Sequence, residues 1–217
     1  EISGSMVVKY DTSKTFDNPV TVTATGNSVS LMNLYTDTTY YWKVETADGE
    51  HDSEVGSFHT LGHFRNVSCG PAYNTRDIGG KPVRGGKRIK QGVIYRGCEL
   101  VDSDINKSLN HGVTLDEESR TKWKEEFHIG YEFDLRKADA IGTQEGSSLG
   151  EDVDYTRLAL GSFADLWNNG KASELKQSFE IFANATTDKA VYCHCWGGAD
   201  RTGTLIFILE GLLGVSF

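Results

Sequence analysis

Two periodicities divide the chain. Up to about residue 60, apolar positions alternate with polar ones: Val20, Val22 and Ala24 with threonines, Val29 and Leu31 with serines, and Tyr40, Trp42 and Val44 with Tyr41, Lys43 and Glu45. A period of two predicts half-buried antiparallel strands. Asp48-Gly49 marks a hairpin turn, with residues 54–60 as the return strand. Beyond this point short apolar runs alternate with longer segments of helical spacing. Residues 93–95 and 131–135 predict strands, and residues 115–127 predict an amphipathic helix opened by Asp116, Glu117 and Glu118, whose charges suit a first turn. Residues 172–183 predict the helix that precedes a buried strand at 190–193. The apolar run 204–213 is too long for a typical strand and predicts a buried helix. The pattern therefore gives a small all-β domain over residues 1–61 and an α/β domain over 62–217, with a central, mostly parallel sheet flanked by helices. A ligand site in such a sheet belongs at the carboxyl ends of its strands.

That position is occupied by His194-Cys-Trp-Gly-Gly-Ala-Asp-Arg-Thr-Gly203. The segment runs from the end of a strand into the start of a helix, where unpaired N–H groups and the positive end of the macrodipole favour an anion. Gly197 and Gly198 let the main chain curl into a nest for phosphate oxygens, and Arg201 offers a two-pronged fork to the same anion. The dipoles that would hold phosphate also favour thiolate over thiol at Cys195. Thr202 follows the arginine, where its hydroxyl can donate to that sulfur.

Composition narrows the class of function. With 22 Lys and Arg against 31 Asp and Glu, the formal charge is −9, which makes a nucleic-acid backbone an unsuitable partner. Positive charge gathers at Arg76 and in the run 81–90, read as a solvated hairpin or as a guide for an anionic substrate. Cys193 and Cys195 lack the companion cysteines or histidines that a zinc site needs, so no metal and no cofactor is expected. Cys193 reads as strand packing. Cys69 and Cys98 are candidates for a disulfide in an oxidising compartment. No signal peptide or membrane span is evident in the sequence.

Cys-x5-Arg followed by Thr-Gly, with histidine before the cysteine and aspartate before the arginine, resembles the signature of the protein tyrosine phosphatase superfamily. More narrowly, it resembles a bacterial branch whose loop reads HCxxGxDRTG and which includes phosphatases of phosphotyrosine and of phosphoinositides. Three further segments agree in order: Asn74-Thr-Arg-Asp-Ile-Gly-Gly80 resembles NxRDLGG, Tyr95-Arg96 with Glu99-Leu100 resembles YRSxxL, and Asp134-Leu-Arg136 resembles DLR. The likeness covers roughly residues 64–217. It implies Cys195 as nucleophile, Arg201 as phosphate clamp, and the main chain of Trp196, Gly197, Gly198, Ala199, Asp200 and Arg201 as the oxyanion cradle. It implies Thr202 as an aid to sulfur departure. For the general acid it implies Asp200, with Asp165 in the segment 161–167 as the alternative. His194 orients the loop or fills a core position, and Trp196 stacks on an aryl substrate or packs internally. Arg76, Asp77, Arg96, Asp134 and Arg136 either touch substrate or brace the loop through internal ion pairs. Members of the branch often carry lysine before the loop aspartate. Here the position is Ala199, which weakens a phosphoinositide reading and favours a phosphorylated protein or small phosphoester.

The segment from Leu34 through Tyr40 to Val44, closed by Ser57-Phe-His-Thr60, resembles the second half of a fibronectin type III domain, with Tyr40 at the tyrosine-corner position. Only about five of the seven strands can be placed, and the chain stops just after an apolar helix, so a longer natural protein is expected at both ends. Such a module beside an enzyme domain suggests docking to protein or glycan, and export to the surface of a bacterium. Two rival functions are a rhodanese-type sulfur transferase, which generally has a shorter cysteine loop, and a phosphoprotein-binding module with little turnover.

Overall fold

The computed structural model describes residues 5–62, 64–100, 113–141, 144–161, 166 and 171–216. The chain divides into two compact units, residues 1–63 and 64–217. In the first, strands β1 (Met6–Asp11), β2 (Val20–Thr23), β3 (Thr39–Thr46) and β4 (Gly56–His59) form one antiparallel sheet in the order β2-β1-β3-β4. The alternating run through Val29 and Leu31 forms no strand. Instead these two side chains join Met6, Val8, Trp42, Val44 and Phe58 around an apolar groove of about 510 Å³ on the sheet. The rings of Tyr10, Tyr40 and Phe58 hold the sheet's core, Tyr10 tilted against Tyr40 at 5.9 Å and Phe58 stacked on Tyr40 at 5.5 Å between centroids. The Tyr40 hydroxyl accepts from the Tyr35 N–H at 2.9 Å.

The second unit is built on a six-stranded sheet of β5 (Arg65–Asn66), β6 (Arg76–Asp77), β7 (Ile94–Gly97), β8 (Ile129–Asp134), β9 (Asp154–Arg157) and β10 (Ala190–His194). Its order is β5-β6-β7-β10-β8-β9. The strands from β7 to β9 run parallel, whereas β5 and β6 extend the β7 edge in antiparallel pairing. Among its helices are α1 (Glu117–Glu125), α2 (Ala172–Ala183) and α3 (Asp200–Leu213). Local chemistry sets their ends. Asp116 caps α1 by accepting from the Ser119 N–H at 2.8 Å, with Glu117 and Glu118 in the first turn and Lys122 and Lys124 in the last. Gly214, at φ +88°, ends α3 in the left-handed conformation. Residues 81–89 form an exposed hairpin closed by pairing of Pro82 with Arg88.

Because side chains alternate across a strand, β10 feeds two cores. Ala190 and Tyr192 pack with Tyr95, Trp123 and Phe127 on the α1 side. Val191 and Cys193 pack with Phe133, Phe182, Leu205, Ile206 and Leu209 on the side of α2 and α3. Cys195 continues the second set, one residue past the strand. The two cores fix the strand end from both faces and so fix where the following loop begins.

Candidate active site

The loop between β10 and α3 is shaped by hydrogen bonds to its carbonyls. The Cys195 carbonyl accepts from His194 Nδ1 at 3.1 Å, that of Trp196 from the Glu99 N–H at 2.9 Å, and that of Gly197 from Asn74 Nδ2 at 2.8 Å. The Gly198 carbonyl accepts from Arg96 Nη2. Four successive carbonyls are thus tied to groups around the loop. In a trans peptide the next N–H points opposite to the carbonyl, so the N–H groups of Trp196, Gly197, Gly198 and Ala199 are turned toward the loop's interior. The start of α3 adds to them, because it carries no side-chain cap.

Gly198 is required here twice over. Its φ is +68°, and a Cβ would lie 2.2 Å from the Gly97 carbonyl oxygen. Only glycine allows the loop to sit against β7 at this point.

Beneath the loop lies a cluster of ionisable groups, with Glu99, Glu132, Asp134, Arg136 and His194 all fully buried. His194 Nε2 is 3.0 Å from Glu132 Oε1, and Nδ1 faces the Cys195 carbonyl. Both partners are acceptors, so the ring carries a proton on each nitrogen. Burial works against this cation, but Asp134 and Glu132 outweigh it and raise the pKa of His194. Burial would likewise lift the Asp134 carboxyl, yet His194 and Arg136 hold it down to about 2. Arg136 donates to Asp134 at 2.8 Å and to Glu99 at 2.8 Å, which keeps it protonated against its burial. Glu99 is the least compensated acid. Burial pushes it up to about 7 against the pull of Arg136, and its Oε1 has no hydrogen-bond partner among the described residues.

The sequence-derived residues fall into clear places. Cys195 is 3% exposed at the base of the loop. Arg201, half-buried in the first turn of α3, donates to the Leu135 carbonyl at 3.2 Å. Thr202 is fully buried, and its hydroxyl has no hydrogen-bond partner among the described residues. Ala199 and Asp200 are exposed at the rim, and Trp196 is half-buried. Asp165 lies outside the described residues. Arg76, Asp77, Arg96, Asp134 and Arg136 all make internal bonds. Arg76 holds the Asn74 side chain, and Asp77 pairs with Arg65 at 3.0 Å while accepting from the Gly79 and Gly92 N–H groups. Burial lowers the pKa of Arg96, and nearby Arg76 adds to the effect. Cys69, Cys98, Cys193 and Cys195 are free thiols. Glu132 and Asn74 escaped notice as site residues in the sequence, although a second acid two positions before Asp134 on a buried strand is a readable signal of a buried network.

Residues 68–217 match the model of the tyrosine phosphatase family. The chain belongs to that family. A protein of Cupriavidus necator, named provisionally as a tyrosine-protein phosphatase, is 30% identical over 158 residues, or 66% of this chain and 56% of that protein. The chain thus spans little more than half the length of this relative. The matched residues lie within the unit formed by residues 64–217.

The geometry of this loop and of the cluster beneath it makes two predictions. Gly198→Ala displaces the cradle on the scale of an ångström, so hydrolysis of p-nitrophenyl phosphate should fall by about 100-fold while a cooperative thermal transition persists. The second concerns pH. A carboxyl raised from its ordinary 4.5 to about 7 binds its proton longer in the folded state, so its contribution to stability declines as pH rises through that window. In Glu99→Gln the fall in urea unfolding free energy between pH 5 and pH 8 should be smaller than in the parent by on the order of 2 kcal/mol.

Proposed function

We propose that the chain is a cysteine-dependent phosphomonoester hydrolase, acting as a protein tyrosine phosphatase through a phosphocysteine intermediate. The observation that carries this reading is the set of outward-tied carbonyls at Cys195, Trp196, Gly197 and Gly198, which leaves the loop's N–H groups for a phosphate. Arg201 supplies the guanidinium that binds the remaining equatorial oxygens.

In the first step the Cys195 thiolate attacks phosphorus in line, an S–P bond forms, and the bond from phosphorus to the ester oxygen breaks. Asp200, exposed at the rim, gives its proton to the departing oxygen. Water then attacks the phosphocysteine, the Asp200 carboxylate takes a proton from it, and the S–P bond breaks to return thiolate and inorganic phosphate. The unpartnered Thr202 hydroxyl is suited to donate to the leaving sulfur. Ala199 adds no cation at the rim, which supports phosphotyrosine or a small phosphoester over a phosphoinositide.

For the N-terminal unit we infer a partial fibronectin type III-like module that docks protein or glycan. Its support is the bond from the Tyr35 N–H to the Tyr40 hydroxyl, the pattern of a tyrosine corner.

Release of phosphate from p-nitrophenyl phosphate tests the enzymatic reading. The parent chain should turn over and Cys195→Ser should lose at least about 1,000-fold in kcat, as expected when a nucleophile that acts with its whole site is removed. Activity that survives the substitution rejects the nucleophile. Asp200→Asn should slow an aryl ester with a poor leaving group by about 100-fold and one with a good leaving group far less. Equal losses on both esters would move the general acid elsewhere.

A further inference from the structure

Arg76 and Arg96 stand directly opposite one another across the β6–β7 pair. Like charges in that position repel. Among the described residues neither guanidinium has a carboxylate to answer it. Arg76 holds the neutral side chain of Asn74, Arg96 holds the Gly198 carbonyl, and the Nε of each is buried without a hydrogen-bond partner among the described residues. The acids nearby are already engaged. Asp77 serves Arg65 and the N–H groups of Gly79 and Gly92, and Glu210 pairs with Lys81. Burial, with the charge of Arg76 beside it, depresses the pKa of Arg96, in keeping with a cation short of an anion.

Both guanidiniums line a cavity of about 200 Å³ between β6 and α3, together with Lys81. Ile78 and Ile206 give it apolar walls, and the exposed rings of Phe64 and Phe207 flank it. The cavity lies outside the loop between β10 and α3, because Arg96 meets Gly198 at its outward carbonyl. A few convergent charged groups in otherwise apolar walls are the makings of a small-molecule site. Bare phosphate would leave the isoleucines and the rings uncovered. A carboxylate on an aromatic body meets both parts, its two oxygens matching the forked donors and its ring the apolar wall.

We propose that this cavity binds a small aromatic carboxylate, its head held between Arg76 and Arg96 and its ring lying against Ile206 and Phe207. The site needs no turnover, so it stands independently of the phosphatase reading above.

Fluorine NMR of 4-fluorobenzoate, titrated with the full chain, tests it. The signal should shift saturably with the parent. Arg76→Gln removes one arm of the clamp and should weaken binding by about tenfold, the order expected for a hydrogen bond to a charged group. Phe207→Glu sets a carboxylate beside the cavity and should weaken binding at least as much. Phe207 is exposed on α3, so this variant decides the matter should Arg76→Gln lose its cooperative thermal transition. Arg201→Ala strips the loop of its own guanidinium and should leave the dissociation constant within a factor of about two. Binding that is lost in Arg201→Ala and kept in Phe207→Glu would put the carboxylate in the loop and overturn the proposal. A parent chain that leaves the fluorine signal unmoved would overturn it as well.

Discussion

Everything the loop can do depends on where its carbonyls point. A strand-to-helix turn with free peptide planes would let some carbonyls face inward and repel an anion. Here each plane from Cys195 to Gly198 is fastened by a donor from a different part of the unit: a strand-end histidine, a backbone N–H after β7, an asparagine in a left-handed turn and an arginine on β7. A single such bond is worth about 1 kcal/mol net. Their combined effect is preorganisation, since the loop's N–H groups are oriented in advance of any anion that meets them.

The donors must themselves be held, and this explains the buried charges. Three carboxyls, of Glu99, Glu132 and Asp134, face two cations, Arg136 and His194, in a region without solvent. Such a group is not chosen for stability alone, because ion pairs of this kind often do no better than apolar packing of the same volume. The excess acid is accommodated by Glu99, which is held up near 7 while Asp134 is held down near 2. The arrangement sets the His194 ring as a doubly protonated donor. It also places positive charge directly under the Cys195 carbonyl.

The loop between β10 and α3 was legible in the sequence because it falls between a short apolar strand and a continuously apolar helix. The major strands and helices of the second unit were legible for a related reason. β7, β8 and β10 are largely buried and stand out as apolar stretches, whereas the edge strand β9 is exposed or half-buried and carries no such run, and α1 announces itself through Asp116 and its acidic first turn. What stayed hidden depends on tertiary pairing. Nothing local says that Glu99 meets Arg136, or that Asn74 reaches across 123 residues to Gly197. Val29 and Leu31 show the converse failure. Their alternation is that of a strand, but they gain no strand partners and line a groove instead.

The period of β10 also explains why support and reactivity do not compete for space. His194 continues the face of Tyr192, and its ring stacks on that tyrosine at 5.6 Å. It therefore reaches the carboxyls of β8, which share that face through the pairing of Tyr192 with Glu132 and His194 with Asp134. Cys195, one residue on, belongs to the opposite face with Cys193 and the apolar side of α3. The same alternation that builds two hydrophobic cores thus puts the charged scaffold on one face of the strand and the sulfur on the other. A one-residue shift in the register of β10 would exchange the two, burying the thiol among carboxylates and sending the imidazole into hydrocarbon. The site's chemistry is consequently fixed by the strand's pairing as firmly as by the loop's own residues.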